Sequence, residues 1–133
     1  MTTTYKPTKR GRQKTADYLS QAIDAGAYLD VISVDGSGEL DELMVLCPNT
    51  SFGVTIAVDG TTILSKTYSQ LNAVTQTLSF VSAFAEVDEN GDATGNYLIH
   101  IKNISFLSSL VARITNTGGA SATFNIFGKY TLS

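Results

Sequence analysis

The sequence predicts an all-β protein, an antiparallel β-sandwich or jelly roll of about eight strands behind an extended basic N-terminal arm. Three observations lead there. From Ala27 to the end, short runs rich in Val, Ile, Phe, Tyr and Thr recur about every ten residues, separated by Gly, Asp and Asn. No helical period recurs between these runs, which removes parallel α/β folds, whose strands alternate with helices. The chain is 43% hydrophobic and only 16% charged, a balance that favours a packed body over a disordered one. With 133 residues there is room for one domain of ordinary size.

Residues 2–14 contain Thr2, Thr3 and Thr4, one Pro, one Gly and almost nothing to bury beyond Tyr5, so alone they are expected to be extended or disordered. Thr15 to Gly26 follows. Thr15 is placed to cap a short helix, Asp17 to sit near its positive end, Tyr18, Leu19, Ala22 and Ile23 to share a face, and Gly26 to stop it. A helix of that length is marginal without a packing partner. An irregular segment laid across a neighbouring surface fits the same residues. The expected division is therefore an arm over 1–26, with room for one short helix, and a sandwich over 27–133.

Eight strands are expected near 27–34, 40–47, 52–58, 62–68, 78–87, 96–103, 106–115 and 122–132. The clearest is Phe52 to Val58, where Phe52, Val54, Ile56 and Val58 alternate with small or polar residues and fall on one face. Asp59-Gly60 follows at once, a hairpin signal because Gly accepts the positive φ of a tight turn, and Ile63-Leu64 opens the return strand. Asp88-Glu89-Asn90-Gly91-Asp92 marks another turn before the alternating run Tyr97 to Lys102. Asn116-Thr117-Gly118-Gly119 marks a third. In the last strand Phe124, Ile126, Gly128, Tyr130 and Leu132 share one face, and Asn125, Phe127, Lys129 and Thr131 the other.

Charge is sharply divided. Lys6, Lys9, Arg10, Arg12 and Lys14 place five of the nine cations in the first 14 residues with no acid, leaving four cations against twelve acids in the remainder. Such an arm suits attraction to nucleic-acid phosphates or to an acidic protein surface, or serves as a solubilising tail. An acidic body without a DNA- or RNA-binding motif, or an aromatic platform flanked by cations, disfavours nucleic acid. No stretch approaches the roughly 20 apolar residues of a membrane span, and no secretory signal is evident, so no membrane partner is expected. Cys47 is the single cysteine; it lies in the apolar run Leu43 to Cys47, where a thiol packs as a small hydrophobe.

Candidate chemistry is sparse. His100 is the only histidine, which excludes multi-histidine metal sites and forces any Ser-His-acid triad through it. Strand alternation points it outward beside Leu98 and Lys102, with no nucleophile motif nearby. Asp88, Asn90 and Asp92 mimic the opening of an EF-hand loop, but Ala93 and Ile99 stand where its Gly and bidentate Glu belong, so a solvated hairpin loop is the better reading. Glu39, Asp41 and Glu42 alternate with Leu40 and Leu43 as a strand entrance with a wet face. Sugar-binding sandwiches stack ligand on exposed aromatics, and here Tyr68, Tyr97 and Tyr130 are the strand candidates, though Tyr97 and Tyr130 fall on apolar phases. The sequence thus implies no enzyme, no cofactor and no metal.

The runs Gly38-Glu39-Leu40-Asp41-Glu42-Leu43-Met44-Val45, Phe52-x-Val54-x-Ile56-x-Val58-Asp59-Gly60-x-x-Ile63-Leu64 and Phe124-x-Ile126-x-x-Lys129-Tyr130 resemble small β-sandwich accessory proteins of tailed-bacteriophage virions. The similarity spans about residues 38–132 and is a pattern of strands and turns. It implies a non-enzymatic structural role as a capsid decoration or cement protein, or a head–tail or tail component. It also implies assembly in the virion after synthesis in the host cytoplasm, in many copies and as a homo-oligomer, with a trimer favoured. The partner would be the major capsid protein or another virion protein. In that reading Lys6, Lys9, Arg10, Arg12 and Lys14 attract the arm to the shell, and Tyr5, Tyr18, Leu19 and Ile23 anchor it. The competing reading is a carbohydrate- or receptor-binding module that uses Tyr68 or Tyr97.

Overall fold

A computed structural model describes residues 11–74 and 80–133. Nine strands are described: β1 (Arg12–Ile23), β2 (Tyr28–Asp35), β3 (Gly38–Cys47), β4 (Phe52–Val58), β5 (Thr61–Thr67), β6 (Val81–Val87), β7 (Ala93–Phe106), β8 (Ser109–Asn116) and β9 (Ala122–Leu132). One helix, α1 (Tyr68–Val74), lies between β5 and β6. The strands form two antiparallel sheets, β1-β9-β3-β7-β6 and β2-β8-β4-β5.

This order is a jelly roll. Strands pair from the outside inward, β1 with β9, β2 with β8, β3 with β7 and β4 with β5, as one long antiparallel ribbon folded over on itself. The innermost hairpin turns at Asp59-Gly60, and β6 is added at the edge beside β7. Asp59 and Gly60 both have positive φ, 53° and 82°, as a two-residue turn matched to strand twist requires. At Gly38 the chains pass so closely that a Cβ would strike the Thr131 carbonyl oxygen.

The core lies between the sheets. Leu40, Leu43 and Val45 from β3, Phe52 and Ile56 from β4, Ile99 and Ile101 from β7, Leu110 and Ile114 from β8, and Phe124 and Ile126 from β9 are fully buried. Two-residue alternation sends these side chains inward and their neighbours out. Phe52 stacks on Tyr68 with centroids 5.6 Å apart and meets Phe124 edge-on at 5.8 Å. Cys47 is buried, and burial raises its thiol pKa. The buried Asn116 donates from Nδ2 to the carbonyls of Ile23 (2.8 Å) and Ala120 (2.9 Å) and accepts from the Gly118 amide (2.9 Å), tying the end of β8 to the end of β1.

All eight expected strands are present, with ends moved by a few residues. The N-terminal helix is not. Residues 15–23 lie instead in β1, which pairs with β9 from Arg12↔Leu132 to Ile23↔Ala122, and 24–26 lead by a turn into β2, so the expected arm contains a strand of the sandwich. Docking on β9 supplies the backbone partners and apolar contacts that an isolated short helix lacks. One extra residue bulges between Tyr18 and Gln21, where Ser20 takes φ 54° and its amide donates to Asn125 Oδ1 (2.8 Å). The helix that does form, α1, starts at a capping box: the Gln70 amide donates to Thr67 Oγ1 (3.3 Å) and the Thr67 amide to Gln70 Oε1 (3.0 Å).

Candidate interaction surface

The outer face of the five-stranded sheet is built in rows across the strands. In one row Asp17, Phe127, Met44, His100 and Ser82 lie side by side. In the next, Asn125, Leu46, Leu98 and Phe84 do, and on the opposite side come Thr15, Lys129, Glu42 and Lys102. Phe127, Met44, Leu46, Leu98 and Phe84 therefore form one apolar patch across four strands. Phe127 and Met44 are each 37% exposed and Phe84 44%, on a face where alternation ordinarily places polar groups. A contiguous exposed patch rimmed by polar residues marks an interaction site, whereas single exposed apolar residues do not.

The polar rim is internally satisfied. His100 Nε2 lies 2.9 Å from Glu42 Oε2, a contact available because the two sit on neighbouring strands one row apart. His100 faces outward, half-buried, beside Leu98 and Lys102, as alternation predicts. Ser82 is its register partner on β6, yet no hydrogen bond joins the Ser82 hydroxyl to the imidazole. On the far side of the patch Glu86 Oε1 accepts from Thr94 Oγ1 (2.7 Å) and Asn96 Nδ2 (3.3 Å).

The other sheet presents a different outer face, of small residues and hydroxyls. Thr55 and Ser65 share a 3.2 Å hydrogen bond there. Arg113 donates from Nε (2.7 Å) and Nη2 (3.3 Å) to the two carboxylate oxygens of Asp30 and stacks 3.8 Å over the Tyr28 ring. The Asp30 hydrogen bond raises the guanidinium pKa most, desolvation opposes it, and the charges of Asp30 and Tyr28 add smaller increases. A depression of about 180 Å³ lined by Thr55, Ser65, Thr67, Gln70 and Thr115 is smaller than ordinary ligand pockets and has no aromatic wall.

The expected site residues scatter. Tyr5, Lys6, Lys9 and Arg10 lie outside the described residues. Arg12 and Lys14 are exposed at the start of β1. Of the four apolar anchors, three fall within the described residues: Leu19 is 70% exposed at the bulge, Tyr18 is partly packed on the core, and Ile23 is 4% exposed within it. Ile23 is thus a core residue, because pairing with Ala122 turns it inward. Tyr68 is not an exposed platform either. At 5% exposure it fills the core between Phe52 and Tyr97, burial raises its hydroxyl pKa, and the sugar-stacking role expected of it is excluded. Tyr97 and Tyr130 pack partly against the core. The acidic loop is a hairpin turn, with Asp88 Oδ1 accepting from the amides of Asn90 (2.8 Å) and Asp92 (3.0 Å). Among the described residues no His, Cys, Asp and Glu cluster is arranged to hold a metal ion, and no helix is long and apolar enough to cross a membrane.

The apolar patch was missed in the sequence although its signal was present: Phe127 and Met44 occupy outward phases of their strands. Contiguity only appears once the strand order places β9, β3, β7 and β6 side by side.

No protein-family model and no curated protein matches the sequence. Among solved structures, the VP2 subviral particle of infectious bursal disease virus is similar over 99% of this chain and 35% of that one, with a TM-score of 0.52 and 16% identity. The structure of the Gx strain of the same virus is similar over 95% of this chain and 32% of that one, with a TM-score of 0.46 and 18% identity. The chain spans about a third of the length of these structures. The likeness to the VP2 subviral particle is one of fold.

Proposed function

We propose that this chain is a non-enzymatic structural protein of a virion, a capsid decoration or cement protein of a tailed bacteriophage that is fastened to the shell through its N-terminal segment. The observation that carries this reading is the jelly-roll fold shared, over 99% of the chain, with the VP2 subviral particle, a protein of a viral particle. The exposed apolar patch on the five-stranded sheet supports a protein made to contact other proteins. The chemistry of the rest of the surface fits the same role, since His100 is engaged with Glu42 and, among the described residues, no nucleophile is hydrogen-bonded to it. A sugar-binding role loses support with Tyr68 in the core.

In this reading Lys6, Lys9, Arg10, Arg12 and Lys14 draw the protein to an acidic capsid surface, and Tyr5 and Leu19 add apolar contact. Ordering the segment costs conformational entropy, so one copy binds weakly and an array binds firmly. Deleting residues 2–10 spares every described strand. The truncated protein is expected to fold normally and to lose most of its occupancy on heads of the phage that encodes it, and the full chain to bind less as ionic strength rises. Undiminished occupancy of the truncated protein would overturn the clamp.

A further inference from the structure

We propose that two copies of this chain pair face to face through the outer surface of the five-stranded sheet, about a two-fold axis that runs across the strands between the Met44 row and the Leu46 row. The proposal stands on the sheet itself and does not depend on the shell-binding reading.

The occupant is a second copy because the face is complementary to itself. One flank carries Lys129 and Lys102, and the other carries Glu86 beside Asn96. Rotation about the axis lays Met44 on the partner copy's Leu46 and Leu98 on its His100. It also brings Lys102 over Asn96 of the other copy, toward Glu86. Met44 and Leu46 then meet directly at the centre, Phe127 and Phe84 each lie diagonally beside their own symmetry mates, and Lys102 faces Glu86 at the rim. Glu42 enters already hydrogen-bonded to His100, so its carboxylate is not buried without a partner.

Size sets the strength. Five strands about 4.8 Å apart and four rows about 6.8 Å apart give a face of about 600 Å². Two such faces lie at the low end of specific interfaces, so the pair is reversible in solution and gains firmness only where copies are held together. Addition at the open edge of β1 is a poorer solution. Arg12 and Lys14 charge that edge and the Ser20 bulge breaks its line, both devices that discourage strand addition.

Sedimentation equilibrium of the full chain from about 1 µM to about 1 mM tests the pair. The mass is expected to rise from monomer to dimer. Phe127→Ser is expected to abolish the rise with the circular dichroism spectrum unchanged. Lys102→Glu and Glu86→Lys are each expected to weaken dimerisation at least about tenfold, and the double variant to restore it to within a few-fold, a recovery that misfolding cannot produce. A monomer throughout, a trimer, or a dimer indifferent to these changes would overturn the proposal.

Discussion

The carboxylate of Asp59, at the tip of the β4–β5 hairpin, accepts hydrogen bonds from both the amide (2.7 Å) and the hydroxyl (3.1 Å) of Ser108, 49 residues away in the β7–β8 turn. The Leu107 and Ser109 amides donate to the same oxygen at 3.0 and 3.1 Å. Three consecutive amides thus converge on one acid, and two turns of the jelly roll are fastened together. Asp59 also holds φ 53°, a conformation Gly adopts more readily. Asp59→Gly is therefore expected to ease the turn yet still lower the melting temperature, because the amides of 107–109 lose their acceptor. Asp59→Ala is expected to lower it further. A melting temperature for Asp59→Gly at or above that of the unaltered protein would show the turn, not the acid, to be decisive.

The same contacts fix a pH dependence. The Ser108 and Ser109 amides hold the Asp59 carboxyl below its ordinary pKa against the opposing effect of desolvation, with smaller contributions from Leu107 and the Ser108 hydroxyl. A carboxyl depressed in the folded state adds stability that is present above its unfolded value, about 4, and lost as pH falls through that value toward the folded one. The melting-temperature difference between the unaltered protein and Asp59→Asn is expected to stay level from pH 7 to about 5 and to shrink below about 4. A difference that grew on acidification would contradict the sign.

Cys47 offers a probe of the core. Burial raises its thiol pKa, against a smaller lowering by hydrogen bonding at Asn49, so the nucleophilic thiolate is scarce at neutral pH and access is blocked by packing. Labelling with a thiol reagent is expected to be far slower than for a free thiol in native buffer and immediate in denaturant. Rapid stoichiometric labelling of the folded protein would place Cys47 at the surface.

Strands were legible wherever two-residue alternation ran unbroken, as in Phe52 to Val58 and Phe124 to Leu132, and the Asp59-Gly60 turn was legible from its residue pair. β1 was hidden because its bulge at Leu19 and Ser20 shifts the alternation midway, leaving spacings that also fit a helical face. α1 was hidden by its seven-residue length, although Thr67 and Gln70 stand at the spacing of a capping box. Partnership across the sheet was the least legible, because Phe84 and Phe127 are 43 positions apart in the chain and meet only through β7 and β3.

Asn116 is the polar hinge of one end of the sandwich. Replacing it with Ala removes the Nδ2 donor from the carbonyls of Ile23 and Ala120, leaves Ile23 with the longer Ser121 hydroxyl contact (3.4 Å), and takes the acceptor from the Gly118 amide, at a cost of about 2 kcal/mol typical of lost buried hydrogen bonds. Chemical denaturation is expected to show that loss with the slope unchanged. A loss under about 0.5 kcal/mol would mean that water replaces the side chain at no penalty.

Leu19 and Ile23, four residues apart on β1, separate contact with a partner from support of the fold. Ile23 sits in the core at 4% exposure, so Ile23→Ala is expected to destabilise the isolated protein by about 2–4 kcal/mol through lost burial and the cavity left behind. Leu19, 70% exposed at the bulge, has little to lose: Leu19→Ala is expected to change stability by no more than about 0.5 kcal/mol. If the N-terminal segment fastens the protein to a larger assembly, Leu19→Ala should nonetheless reduce occupancy on that assembly while the melting curve stays in place. Equal losses of stability for the two variants would mean that the bulge packs as core, and the apolar contact assigned to Leu19 would have to come from residues before Gly11.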